Sequence, residues 1–179
     1  VMSESLVVPV AAGLVGMAVR TSGDPRVRNV VLLGIVGGLA ALTRAELLLA
    51  LPVLAIPLLT GRHLRGDGPS GVIRFQRYVT VGLVTAAVMG PWVVRNLAVF
   101  DEPVWLSNGT GILIAQTNCH DTYYGEKQGS WRFECALPQP LGPEGQAVDE
   151  SVRDVEYRRR GIDYLTDHPR RFATHVVPK

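Results

Sequence analysis

Residues 30–60 decide how this chain is organised, and they read VVLLGIVGGLAALTRAELLLALPVLAIPLLT. As one helix this segment would be about 46 Å long at about 1.5 Å per residue, which exceeds a bilayer core of about 30 Å. Its only charges, Arg44 and Glu46, would also lie near the midpoint, where ionised groups are costly. The segment therefore predicts two apolar helices joined by a turn at residues 43–46.

Arginine-rich loops on both sides of this segment support two membrane crossings. The loops at residues 20–29 and 61–77 carry three and four arginines. Loops rich in Arg and Lys favour the cytoplasmic face, and only two crossings put both loops there. We therefore expect the turn at 43–46, and everything after Val94, to lie on the outer side of the membrane.

The flanking sequence completes a prediction of fold class and domains. Of the first 94 residues 12 are charged, against 22 of the last 85. This difference predicts an all-α integral membrane protein followed by a loop-rich, partly helical extracytoplasmic segment at residues 95–179. Pro91-Trp92 is expected to end the last span. About four transmembrane helices are predicted, near residues 5–20, 29–43, 45–60 and 77–94.

The second half is expected to hold one well-defined helix. Residues 97–147 are predicted to be mainly loops, because turn signals and prolines recur there. A helix is predicted at about 149–167, with Asp149 as its N-cap and Pro169 as its end. Its apolar positions recur at helical spacing: Val148, Val152, Val155, Ile162 and Leu165.

Charge and motifs exclude several classes of function. The net charge is +2, and neither half has the dense basic stripe of a nucleic-acid-binding protein. The sequence has no GxGxxG, P-loop or HExxH motif, and His63, His168 and His175 have no nucleophile at a recognised spacing. No cleavable leader precedes the first apolar run, so we expect no signal peptide and an internal fragment of a longer protein.

Charged residues beside the apolar segments are the first site candidates. Arg44 and Glu46 are expected either to serve function or to form an ion pair or snorkel at a short turn. Arg95 is either a bidentate ligand of a lipid phosphate or an interfacial anchor. Glu4, at the outer mouth of the first span, is either an acid–base group or part of a frayed end.

The outer segment holds the remaining candidates. Cys119 and Cys135 predict a disulfide, with free thiols or a metal site that includes His120 as alternatives. Carboxylates and aromatic rings occur together in the same region, and they suit a hydroxyl-rich ligand such as a sugar. The alternative is that they form the local core of a loop. These residues are Asp121, Tyr123, Tyr124, Glu126 and Trp131.

Residues 91–100 read PWVVRNLAVF, which resembles the PWxxRNxxxF element of polytopic membrane glycosyltransferases with the GT-C fold. That family includes bacterial relatives of the dolichyl-phosphate-mannose protein mannosyltransferases and of the lipid A aminoarabinose transferases. Other stretches are similar to family elements in the same order, across nearly the whole chain. They are SESL at 3–6, GLAALTRAE at 38–46 with Ala45 in place of the usual Pro, SNGTG through QTN at 107–118, and HPRRF at 168–172.

The resemblance implies transfer of a sugar from a polyprenyl-phosphate donor to a glycan, lipid or protein acceptor on the outer face, in a multi-pass protein of the cell membrane. It implies that Arg44 and Arg95 hold the donor phosphate, with Glu46, Asn96 and Asn118 also in the substrate site. The family's catalytic carboxylate lies upstream of Val1 and has no counterpart here, which leaves Glu4 as the candidate within the chain. No cofactor is implied, and a divalent metal has no support in these residues.

Two other functions remain open from the sequence. Arg44 and Glu46 would line the path of a transporter or flippase, although no span is broken by paired Gly/Pro motifs in repeated halves. A membrane-anchored envelope assembly protein would instead use its outer segment to bind a partner. In the glycosyltransferase interpretation the chain is a slice of a larger enzyme and is expected to be inactive alone.

Overall fold

The fold is described from a computed structural model, which gives the backbone at residues 2–60, 70–124 and 128–175 and side chains at 5–56, 70–124 and 128–172. The protein is all-helical, as the sequence predicts. Within these described ranges the strand-like pairing is limited to one isolated bridge, between Leu141 and Ala147. The chain divides into two compact units, Val1–Arg95 and Asn96–Lys179.

The described residues of the first unit form three helices and most of a fourth, and each overlaps a predicted apolar segment. Residues 44–46 separate the second helix from the third, so the prediction of two helices joined by a turn is confirmed. Its helices are α1 (Met2–Gly23), α2 (Val27–Thr43), α3 (Leu47–Thr60) and α4 (Gly71–Val99).

Helix α4 is longer than predicted at both ends. It begins at Gly71, inside the segment predicted to be a loop, and it continues through Pro91 to Val99. The prediction that Pro91-Trp92 ends the last span is therefore wrong as a statement about the helix. Proline removes one backbone donor and clashes with the residue before it, but Gly90 has no Cβ to meet the ring. The apolar residues on either side then carry the helix past the proline.

Small residues hold α2 against α4. Gly34 and Gly38 are spaced as in the GxxxG pattern that lets helix backbones approach closely in membranes. A Cβ at Gly34 would lie 2.7 Å from Cβ of Val84, and one at Gly38 would lie 2.6 Å from Cβ of Val88. The Thr85 hydroxyl donates a hydrogen bond of 3.0 Å to the Gly34 carbonyl. Neither glycine has room for a side chain without moving α4.

The first unit exposes many large apolar side chains, and its interior includes polar residues beside a core of Leu, Val and Ala. Thr21, Asn29 and Thr85 are buried, whereas Val8 is 73% and Leu49 is 76% exposed. Two helices are long and apolar enough to cross a membrane, Ser5–Gly23 within α1 and Gly71–Val99. Only 17% and 11% of their apolar windows are buried, unlike the core helix of a soluble protein. This pattern indicates membrane association.

The second unit is organised by α5 (Thr110–Thr117) and α7 (Glu150–Asp167). These helices approach closely because Gly111 faces the backbone of α7 and Gly161 faces that of α5. Asp149 caps α7, since its Oδ1 accepts a hydrogen bond of 2.8 Å from the Ser151 N–H. The predicted N-cap is therefore confirmed. The remaining elements are α6 (His120–Tyr124), a 3₁₀ turn (Phe133–Ala136) and α8 (Pro169–His175).

Residues 97–147 are mainly loops, as predicted, although they also contain α5, α6 and the 3₁₀ turn. Helix α7 buries Ser151, Asp154, Tyr157 and Gly161, whereas the apolar Val155 and Ile162 are exposed. The buried face is polar because backbone N–H groups of neighbouring segments need acceptors there, and α7 supplies them. Pro169 follows the end of α7, as predicted, and also begins α8.

Candidate functional site

Arg44 and Glu46 lie in the turn between α2 and α3. Arg44 is the C-cap of α2, and both side chains are exposed. No ion pair joins these two residues, although both belong to the described part of the chain. The mutual ion pair considered from the sequence is therefore absent. The Arg44 side chain is exposed, so an anion can reach its guanidinium.

Arg95 and Asn96 lie in the last two turns of α4. Arg95 is exposed, and its guanidinium carbon lies 5.3 Å from the centre of the Trp92 ring. This cation–π contact fixes the arginine beside an aromatic residue of the type that favours membrane interfaces. Asn96 is only 1% exposed, which makes it a buried residue rather than an open ligand.

Some sequence candidates lie outside the described residues. The structure includes the backbone of Glu4 in α1 but not its side chain, and the same holds for His175 in α8. Glu126 and His63 fall in segments that are not described. The candidate acid–base role of Glu4 and the candidate sugar-binding role of Glu126 therefore stay predictions.

Cys119 and Cys135 form a disulfide in the structure, with their Cα atoms 6.0 Å apart. It joins the start of α6 to the 3₁₀ turn, and it leaves neither sulfur available to the metal site that was considered as an alternative. Asn118, just before it, is the C-cap of α5. Its amide donates to the Ile114 carbonyl at 2.9 Å, and its Oδ1 accepts from the Tyr123 hydroxyl at 2.7 Å. Asn118 thus has a structural role in this arrangement.

The tyrosines of α6 belong to an aromatic cluster. Tyr123 is 1% exposed and packs edge-on against Tyr164 of α7, with ring centres 5.2 Å apart. Burial raises the pKa of the Tyr123 phenol above its ordinary value, and Tyr164 raises it further. The Arg171 guanidinium lies 4.6 Å from the Tyr124 ring. This geometry fits the local-core alternative for Tyr123, while Tyr124 and Asp121 stay exposed beside it.

Trp131 has a different environment from the tyrosines. It packs edge-on against Phe133 with ring centres 4.6 Å apart, yet the two residues are 56% and 67% exposed. The disulfide constrains the 3₁₀ turn that carries Phe133. An exposed aromatic pair on a constrained segment is available for contact with a ligand or a surface.

A carboxylate that the sequence did not single out organises the cleft between α5 and α7. Asp154 accepts hydrogen bonds from the backbone N–H groups of Gly109, at 3.0 Å, and Gly111, at 2.7 Å. Arg158 pairs with the other carboxylate oxygen at 3.0 Å. Gly109 has φ +113°, a conformation that L side chains rarely adopt. The signal available in the sequence was the Asn-Gly-Thr-Gly turn, whose backbone donors need an acceptor.

Two clefts lie on either side of Tyr157, which lines both. The first is about 240 Å³ in volume and presents polar groups from Asn108, Glu150 and Arg153. The second is about 320 Å³ and presents Gln116, Glu134 and Gln139 together with the Phe133 ring. Both are lined by planar side chains that carry hydrogen-bond donors or acceptors, and Tyr157 is only 3% exposed.

Residues that ligate metals are dispersed. Over the described ranges, no three His, Cys, Asp or Glu side chains are close enough to hold a metal ion. Comparison with known proteins adds no assignment, because no protein-family model, curated protein or solved structure matches the chain. The site residues must therefore be judged from their own geometry.

Proposed function

We propose that this chain belongs to a GT-C-type membrane glycosyltransferase, which transfers a sugar from a polyprenyl-phosphate donor to an extracytoplasmic acceptor. In this proposal the protein is a multi-pass protein of the cell membrane, with about four spans and residues 95–179 on the outer face. Two helices with the length and composition of membrane spans, and apolar side chains facing outward around them, support a membrane protein.

The observation that carries the proposal is the position of Arg44. Its side chain is exposed at the C-terminal end of an apolar helix, and Glu46, two residues away, does not neutralise it. A guanidinium fits the oxygens of a phosphate bidentately and keeps its charge at any physiological pH. When the bond between sugar and phosphate breaks, charge grows on the phosphate, and a positioned arginine stabilises that charge.

Arg95 is proposed as the second phosphate ligand. Stacking on Trp92 restricts the motion of its side chain, so less rotamer entropy is lost when a phosphate binds. The general base that deprotonates the acceptor is expected upstream of Val1, as the family resemblance implies. Glu46 is proposed as a substrate-binding residue beside Arg44. Asn96 and Asn118 are retained only as positioning residues, because one is buried and the other caps α5.

The test is sugar transfer from a labelled polyprenyl-phosphate donor, by the protein that contains this chain, in lipid nanodiscs. We expect Arg44→Ala to lower the rate of transfer at least a hundredfold, the size of effect seen when one donor to a developing anion is removed. Arg44→Lys is expected to restore only part of the rate, since an ammonium cannot bind bidentately.

Arg28→Ala is the matched control, because Arg28 is an exposed arginine near the other end of α2. It should leave transfer within about twofold of the unmodified protein. Equal transfer by the Arg44→Ala and Arg28→Ala variants, at equal membrane insertion, would refute phosphate binding by Arg44. Transfer that is absent from the unmodified protein with every polyprenyl donor would instead favour the transporter or assembly alternatives.

A further inference from the structure

Tyr157 lines both clefts with its hydroxyl end. Most of its side chain is buried, in a cluster with Ala115 and Ala136. Its hydroxyl has no hydrogen-bond partner among the described residues, and it does not belong to their buried unpaired polar atoms, so it is open to water in the clefts. A hydroxyl without a protein partner can bond to a ligand and break no contact within the fold.

The groups beside Tyr157 define the chemistry of that ligand. On one side Asn108, Glu150 and Arg153 line the cleft, and Arg153 forms no ion pair within the described residues. On the other side two glutamine amides and Glu134 line the adjoining cleft. Amide, carboxylate and guanidinium groups are planar and bind pairs of adjacent hydroxyl groups, which both donate and accept. Such pairs recur along a sugar chain.

An exposed aromatic surface and the balance of charge further restrict the class of ligand that fits the clefts. The ring of Phe133 lines the second cleft and contacts Trp131, so an exposed apolar platform adjoins the polar groups. A sugar ring has one face of C–H groups that packs on such a platform while its hydroxyls reach polar neighbours. Glu134 and Glu150 outnumber Arg153 in the clefts, and Asp154 is neutralised by Arg158. This balance disfavours phosphate, sulfate or uronic acid groups and fits a neutral glycan.

The geometry also argues against a peptide strand. An extended peptide binds mainly through backbone hydrogen bonds to an exposed edge. Here the backbone N–H groups of Gly109 and Gly111 are already bound by Asp154. The polar groups left to a ligand belong to side chains.

We propose that the groove on both sides of Tyr157, defined by Asn108, Gln116, Phe133, Glu150, Arg153 and Tyr157, binds a neutral oligosaccharide. This inference deepens the proposed function and rests on it, since it identifies the bound oligosaccharide as the acceptor of the transferred sugar. The Tyr157 hydroxyl bonds to the glycan at the centre of the groove, and Phe133 packs against a neighbouring ring.

The experiment measures binding separately from transfer. The whole chain in lipid nanodiscs is titrated with neutral oligosaccharides of two to six residues, made of mannose, glucose, galactose or arabinose, and binding is followed by saturation-transfer NMR. At least one of them should bind at millimolar concentration. Tyr157→Phe should then weaken binding about fivefold, the effect of one lost hydrogen bond, and leave thermal stability unchanged. Phe133→Ala should weaken it about tenfold by removing the platform.

Tyr164→Phe is the matched control, since it removes a hydroxyl from the same helix two turns away, in the aromatic cluster. It should leave glycan affinity unchanged. No binding by any oligosaccharide of the panel at 10 mM overturns the inference, and so does equal weakening by Tyr157→Phe and Tyr164→Phe. Preferential binding of an unstructured peptide at the same groove also overturns it.

Transfer assays distinguish this inference from the proposed function. If Arg44→Ala abolishes transfer while Tyr157→Phe leaves the KM for the acceptor unchanged, the glycosyltransferase proposal stands and the acceptor groove is refuted. If oligosaccharides bind and Tyr157→Phe weakens them, but no polyprenyl donor supports transfer, the glycan site stands and the proposed reaction is refuted.

Discussion

Removal of the Asp154 carboxylate should open the start of α5. In Asp154→Ala the backbone N–H groups of Gly109 and Gly111 lose their shared acceptor, and the Gly111 donor is buried. Hydrogen bonds to a charged acceptor contribute about 1.5–3 kcal/mol each. The pair with Arg158, whose side chain is 48% exposed, adds at most about 0.5 kcal/mol. We therefore expect local stability to fall by about 3–5 kcal/mol.

Hydrogen–deuterium exchange is the suitable assay, because it reports the opening of individual segments. With the chain in nanodiscs, a loss of 3 kcal/mol raises the exchange rate of the amides at residues 109–117 by more than about a hundredfold. Asp154→Asn keeps a side-chain oxygen but not its charge, so its exchange rate should lie between those of the unmodified chain and Asp154→Ala. Asp163→Ala, an exposed carboxylate on the same helix, should change exchange by less than about twofold.

One result would refute this account. If Asp154→Ala and Asp163→Ala exchange at the same rate across α5, the carboxylate does not hold the Gly109 turn. The close approach of Gly111 to the α7 backbone would then be sufficient to keep the two helices together.

Other features of the fold lead to further predictions. Gly34→Val should destabilise the chain by about 1–3 kcal/mol, measured by thermal melts in detergent. Gly13→Val should not, because a side chain at Gly13 meets open space. Equal melting temperatures for the two variants would contradict close packing of α2 on α4. Reduction of Cys119–Cys135 should lower the stability of the second unit by about 3 kcal/mol, seen as a lower melting temperature with dithiothreitol than without. The hydrogen bonds from Ser151 to Asp149 lower the pKa of that carboxyl, so the stability that they provide is present above about pH 4 and is lost as the pH falls through the lowered pKa. Asp149→Asn should remove this acid-dependent step from a circular dichroism titration, and an unchanged titration would exclude the cap as its source.

Apolar run length and charge spacing predicted the first unit well. The turn at 43–46 was predictable because two charges interrupt a run that is too long for one span. The extension of α4 was not, since the effect of Pro91 depends on the glycine before it and on the apolar residues after it. The four-residue spacing of Gly34 and Gly38 is visible in the sequence, but the helix that packs against them, α4, becomes known only from the fold.

The second unit was harder to predict because its packing contradicts the usual pattern. The apolar spacing predicted that α7 is a helix but not which residues it buries: the structure buries Ser151 and Asp154, which accept hydrogen bonds from backbone donors of distant segments. Those donors are invisible in a hydrophobicity pattern. The Asp149 cap was predictable, since its partner lies two residues away.

The Cys119–Cys135 bridge also makes the chain a reporter of its own orientation. Glutathione and thioredoxin keep thiols reduced in the cytosol, whereas disulfides persist in the periplasm and outside the cell. Alkylation of intact cells, followed by denaturation and gel-shift of newly exposed thiols, therefore reads which side of the membrane holds residues 119–135. The same chemistry constrains biosynthesis: a chain held in a reducing compartment would lack the covalent link between α6 and the Phe133 turn.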